Sequence, residues 1–138
     1  MQMQVKDGMS EVSLTVGPAH TLRQAARMMV EKGTGAALVV DADLPTPSIV
    51  TERDLLISVA RGESPDEERV CEHMSEGVIA AAPEWSLERA AAEMSRRGVR
   101  HLVVFQGAEA VGVLSMRDIV RCWTSEGATS EMEALRSA

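Results

Sequence analysis

Gly112-Val113-Leu114-Ser115-Met116-Arg117-Asp118 repeats, in residue class and order, the earlier stretch Ser48-Ile49-Val50-Thr51-Glu52-Arg53-Asp54. Each copy runs from apolar β-formers into a hydroxyl residue, then Arg-Asp, then a further apolar run, which is the pattern of a strand handing over to a helix. Thr51 with Asp54, and Ser115 with Asp118, have the spacing of an N-cap residue and the third residue of the helix it starts. Each pair can satisfy amides that the first helical turn leaves unpaired. Arg53 and Arg117 do not fit that purpose, because they put a cation at the positive end of the helix dipole. Either each pairs with a nearby carboxylate, or both help hold an anion at a helix start.

Working outward, Met9-Ser10-Glu11 falls on Met74-Ser75-Glu76, Pro18 on Pro83, Leu22 on Leu87, Ala25-Ala26 on Ala90-Ala91, Met29 on Met94, Gly33 on Gly98 and Val39 on Val104. One unit is therefore used twice, at a period of roughly 65 residues. In the first copy, Ser13 to Val16 reads as a strand closed by Gly17-Pro18, and Thr21 caps a helix with Gln24 at the capping-box position. Leu22, Ala25, Ala26, Met29 and Val30 share a face of that helix, and Gly33 ends it. Ala36 to Val40 and Ser48 to Val50 are strands, and a second helix runs from Glu52 to about Arg61. The second copy repeats the order: strand Val78 to Ala81, helix from Ser86 to Gly98, strands His101 to Phe105 and Ala110 to Leu114, and helix Met116 to Trp123.

The expected architecture is α+β: two β-α-β-β-α repeats packed sheet to sheet with pseudo-twofold symmetry, the two strand-to-helix corners beside a shared cleft. A repeat of this size buries too little surface to stand well alone. Residues 1–62 form the first repeat, 63–69 a polar linker rich in helix breakers and acids, 70–124 the second repeat and 125–138 a polar tail.

Composition narrows the function. The 138 residues are 45% hydrophobic, but the aromatics are confined to Phe105, Trp85 and Trp123, so stacking platforms for bases are scarce. A net charge of -7 argues against a general nucleic-acid binder. Cys71 and Cys122 show neither metal-ligand spacing nor a disulfide framework, and read as reduced thiols. No stretch has membrane-spanning length and the first residues lack an apolar leader, so the expected location is cytoplasmic. His20, His73 and His101 are scattered and complete no nucleophile or metal motif, so neither an enzyme nor a metal site is expected.

With these residues in order, twice, the chain resembles a tandem pair of cystathionine β-synthase (CBS) domains, a Bateman module. The resemblance implies a regulatory module that binds an adenosine nucleotide such as AMP, ADP or ATP, and less often S-adenosylmethionine or NADH, with no required cofactor. It implies that Thr51 and Ser115 contact phosphate, that Asp54 and Asp118 contact ribose hydroxyls, and that Arg53 and Arg117 are phosphate candidates. Leu14-Thr15 and Ile79-Ala80, with Thr34-Gly35 and Val99-Arg100-His101, resemble the parts around base and sugar. Ser48 departs from the family's usual glycine, which Gly112 keeps, and is expected to narrow the backbone's approach to a ligand. Arg96, Arg97, Arg100 and His101 have no full echo in Glu31, Lys32, Gly35 and Ala36, so unequal sites are expected. Arg96 and Arg97 suit a helix end, and Arg100 is the better ligand candidate. A homodimer and a separate regulated protein are the expected partners. The competing reading is an interaction scaffold with a vestigial cleft, working through helix faces bearing Met28, Met94 or Ile57.

Overall fold

The computed structural model describes residues 3–11 and 14–125, so Ser13 and all of the polar tail beyond Ser125 lie outside the described residues. In chain order the elements are α1 (Val5–Gly8), β1 (Ser10–Glu11), β2 (Thr15–Val16), α2 (Leu22–Lys32), β3 (Ala36–Val39), β4 (Ser48–Thr51), α3 (Glu52–Ala60), a 3-10 turn (Val70–Glu72), β5 (Ala80–Ala81), α4 (Leu87–Arg97), β6 (His101–Gln106), β7 (Glu109–Ser115) and α5 (Met116–Ser125). Two sheets and, among the described residues, five α-helices make an α+β fold.

The chain divides into two compact units, 12–78 and 1–11 with 79–138. In the first of these, β2 runs parallel to β3 and β3 antiparallel to β4. Thr21 caps α2 through its hydroxyl, which accepts from the Gln24 N–H at 3.1 Å, and Gln24 Oε1 in turn accepts from the Thr21 N–H at 2.8 Å. Gly33, at φ +67, ends the helix in the left-handed region that a side chain disfavours. Leu22, Ala25 and Met29 bury against Val16, Ala37, Val39 and Val50. In the other unit the sheet order is β1-β7-β6-β5. Ser86 caps α4, Gly98 (φ +67) closes it, and Leu87, Ala90 and Met94 pack on Leu102, Val104 and Leu114. Arg96 and Arg97 turn back to Glu93 at 2.7 and 3.1 Å, so both are spent on the helix end and hold the Glu93 carboxyl below its usual range.

The units do not coincide with the sequence repeats, because each repeat lends its leading segment to the other repeat's unit. Val5 N–H donates to Trp85 O at 2.8 Å, and at the matching places Val70 N–H donates to His20 O at 2.9 Å. Lys6 to Pro83 (3.0 Å) is matched by Cys71 to Pro18 (3.0 Å), and Leu87 to Met3 (3.1 Å) by Leu22 to Glu68 (2.9 Å). Ser10 then pairs with Val113 on the edge of β7, as Ser75 bridges to Ile49 on the edge of β4. Val5 and Val70, both fully buried, anchor the exchanged segments in the two cores. The linker is accordingly not a free connector: Arg23 N–H bonds Pro65 O at 3.1 Å, and the Arg23 side chain pairs with Asp66 at 2.5 Å.

Three expectations need correction. Met94 is fully buried and offers no partner-facing surface, whereas Ile57 is part-exposed and Met28 half-buried. Val30 is 80% exposed, because the inward stripe of α2 is narrower than its apolar residues. Ser48 sits opposite Val39, at the far end of β4 from the Thr51 corner, so it does not govern a ligand's approach there. Its counterpart Gly112 answers to packing instead: a Cβ there would lie 2.8 Å from the backbone O of Ser10 on β1.

Candidate functional site

Each unit brings one strand-to-helix corner together with the loop that follows the helix-ending glycine. In the unit of 12–78, Thr51 pairs with Ala36 across the sheet and the Glu52 N–H donates to Gly35 O at 2.8 Å, which sets Thr34-Gly35 against the first turn of α3. In the other unit His101 pairs with Ser115 and the Met116 N–H donates to Arg100 O at 2.9 Å, which sets Val99-Arg100-His101 against the first turn of α5. Helix-ending turns match as well, with Thr34 N–H to Met29 O and Val99 N–H to Met94 O both at 3.0 Å.

The parallel strands stand one strand further over. Thr15 is in register with Leu38, and Ala80 with Val103, a short way along the sheet from the corner row. Alternation along β2 sends Leu14 and Val16 into the core and leaves Thr15 exposed. Leu14 therefore offers a ligand only its backbone surroundings, and its carbonyl already accepts from Leu38 at 3.1 Å. Ile79 packs likewise on its core, with Ala80 exposed.

The two corners hold their carboxylates differently. Asp54 Oδ2 accepts from the Thr51 N–H at 2.8 Å and from the Thr51 hydroxyl at 3.1 Å. Asp118 Oδ2 accepts from the Ser115 N–H at 2.8 Å, while the Asp118 N–H donates to Ser115 Oγ at 3.0 Å, a reciprocal capping box. Asp118 is 7% exposed, and its Oδ1 also accepts from Arg121 Nη2 at 2.9 Å. Each carboxylate oxygen can accept two bonds, so Asp118 keeps capacity for a further hydroxyl donor.

Charge separates the corners further. Glu52 lies over Gly35, where its carboxylate would meet a Cβ at 2.9 Å, so the first corner carries Glu52 and Asp54 against Arg53. At the matching positions the second corner has Met116 for Glu52, Arg100 for Gly35 and Arg121 for Ile57, and thus sets Arg100, Arg117 and Arg121 against Asp118. Arg53, Arg100 and Arg117 are exposed, and among the described residues none of them makes an ion pair. Pairing with a nearby carboxylate therefore does not account for Arg53 or Arg117. The repeated motif alone does not single out Arg121 or Glu52. The signal for Arg121 was its i,i+3 spacing from Asp118.

The CBS domain profile matches the chain twice, over residues 4–61 and 70–124. The chain belongs to the CBS-domain family. An uncharacterized protein of Methanopyrus kandleri is 32% identical to this CBS-domain pair over 122 residues, which are 87% of the chain and 62% of that relative, so the pair spans less than two thirds of its relative's length. Among solved structures, a hexameric CBS-CP12 protein from bloom-forming cyanobacteria superposes with a TM-score of 0.83 at 26% identity, over 99% of this chain and 85% of that one. A CBS-domain protein of Pyrobaculum aerophilum, in a structure complexed with AMP, superposes with a TM-score of 0.73 at 27% identity, over 84% and 89% of the two chains. No helix among the described residues is long and apolar enough to cross a membrane.

Proposed function

We propose that this CBS-domain pair is a regulatory module that binds an adenosine nucleotide of the AMP, ADP or ATP class and passes its occupancy to a partner protein in the cytoplasm. The corner of the second repeat is the principal site. The observation that carries this is its charge: Arg100 and Arg117 stand exposed and unpaired among the described residues beside the first turn of α5, whose amides favour an anion. Ser115 adds a hydroxyl toward phosphate, and Asp118, anchored by Arg121, accepts from ribose hydroxyls. Thr51, Arg53 and Asp54 form the weaker site, opposed by Glu52. The AMP complex of the Pyrobaculum relative supports the ligand class.

Micromolar affinity requires about 8 kcal/mol. Two charge-assisted bonds at about 1.5–3 kcal/mol each supply part of it, and burial of the purine against aliphatic side chains supplies the rest. The reading is non-catalytic, because His20, His73 and His101 complete no nucleophile or base motif in the sequence. Self-association, a homodimer at least, belongs to the same reading. Leu56 and Val59 on α3, and Val120 and Trp123 on α5, stand exposed at matching positions, and the cyanobacterial relative is hexameric. The same exposed faces favour a second reading, an interaction scaffold indifferent to nucleotides.

A thermal-shift panel of AMP, ADP, ATP, NADH and S-adenosylmethionine tests the choice. The regulatory reading predicts a rise in Tm with at least one adenylate, reduced in Arg117→Ala. A flat response across the panel, with partner capture unaffected by nucleotide, selects the scaffold.

A further inference from the structure

Away from the corners, three side chains converge within the unit of 12–78. Glu63 follows α3 after Gly62, whose φ of +82 turns the chain back toward the helix end. Glu68 stands in the connector and His73 closes the 3-10 turn. One ligand atom from each lies within 4.8 Å of the other two. His73 Nε2 is 2.9 Å from Glu68 Oε1, with the two side chains only 10% and 23% exposed. Glu63 Oε1 accepts from the hydroxyl of Ser58 at 2.8 Å, and Ser58 is 1% exposed, so a buried donor fixes the direction of this carboxylate.

The backbone holds all three in place. The Glu63 N–H donates to Ser58 O at 3.2 Å, the Glu68 N–H to Ser64 O at 2.9 Å and the His73 N–H to Val70 O at 3.0 Å. The two carboxylates approach each other without a lysine or arginine paired to either among the described residues. Like charges drawn together in a part-buried setting repel, and a cation placed between them removes that cost. The repeat offers no second version of the cluster, since Met3 and Gly8 stand opposite Glu68 and His73.

We propose that Glu63, Glu68 and His73 form a binding site for a divalent transition-metal ion, Zn2+ first among them. One imidazole nitrogen with two carboxylate oxygens suits Zn2+, Co2+ or Ni2+, whereas Mg2+ and Ca2+ favour oxygen alone. Ligand bonds of about 2.0–2.2 Å separate neighbouring ligand atoms in a tetrahedral site by roughly 3.3–3.6 Å. The His73–Glu68 contact widens slightly to reach this, and Glu63, held by Ser58, already has a ligand atom within 4.8 Å of both. The ion takes the Nε2 lone pair, so the imidazole proton resides on Nδ1, and water fills the remaining position. Ser58 keeps its bond to Glu63 and orients it behind the metal. Bound there, the ion clamps the connector to the end of α3 and stabilises the unit of 12–78.

Calorimetric titration of the chelator-treated full chain with ZnCl2, and separately with CoCl2 followed by visible absorption, tests the site. The expected result is one saturable ion per chain, a raised Tm, and a Co2+ spectrum without a thiolate charge-transfer band. Glu63→Gln, which keeps side-chain shape, and His73→Gln each lower the affinity about tenfold or more, while Cys71→Ser leaves it unchanged; circular dichroism confirms that each variant folds. Absence of saturable binding up to millimolar Zn2+ leaves only a His73–Glu68 hydrogen bond and overturns the proposal. So does affinity that survives both glutamine variants or disappears in Cys71→Ser.

Discussion

Arg121 Nη2 lies 2.9 Å from Asp118 Oδ1, and Ile57, in the matching place of the first repeat, gives Asp54 no such partner. That contact fixes the orientation of a carboxylate whose other oxygen already caps α5. Asp118 thus stands pre-oriented, and orienting it costs a ligand less than orienting Asp54. Ser115→Ala, which removes the acceptor for the Asp118 N–H, should lower stability by about 1 kcal/mol in urea denaturation. Thr51→Ala should cost less, since the Thr51 hydroxyl donates to the Asp54 carboxylate and accepts no first-turn N–H.

Gly112→Ala places a Cβ 2.8 Å from the Ser10 carbonyl, a backbone atom that cannot rotate away. Such overpacking costs about 1–3 kcal/mol. The midpoint of denaturation should fall accordingly, and an unchanged midpoint would show that β1 does not lie against β7.

Ser48→Ala acts in the other direction. The Ser48 hydroxyl is buried and makes no hydrogen bond among the described residues. Removing it relieves a desolvation cost of about 1–3 kcal/mol, offset by a small packing loss. Higher stability, by roughly 1 kcal/mol, is the expected outcome in the same assay. Lower stability would mean that the hydroxyl is bonded after all.

Segment exchange between repeats makes a spatial prediction. Val5→Ala removes two buried methyl groups at a cost of about 2 kcal/mol. Its effect on amide hydrogen exchange should appear in β6 and β7, far along the chain, and spare β3 and β4. Val70→Ala should do the reverse, and loosening of the same strands by both would refute the exchange.

The repeat, the helix cap at Thr21, the helix start near Ser86, the helix-ending glycines and the strand-to-helix corners were legible in the sequence, because each depends on local spacing. The exchange was not. Met9-Ser10-Glu11 and Met74-Ser75-Glu76 align as the start of each repeat, but nothing local tells a short polar segment which sheet edge to join. The Glu63, Glu68 and His73 cluster was hidden for the same reason: the connector reads as a solvated acidic run until the turn at Gly62 folds it against α3. At the corners the hydroxyl, arginine and carboxylate could be read. The load Glu52 places on the first corner, and the anchor Arg121 gives the second, emerge only once Gly35 and Arg100 are seen bonded to the helix starts.

Isothermal titration of the full chain with AMP and ATP, alongside Arg53→Ala and the double variant Arg100→Ala/Arg117→Ala, tests the central claim most directly. The account predicts saturable binding of an adenylate that the double variant weakens at least about tenfold, a loss of roughly 1.4 kcal/mol, while Arg53→Ala changes it little. Equal losses in the two variants, or no binding heat from either nucleotide, would contradict it.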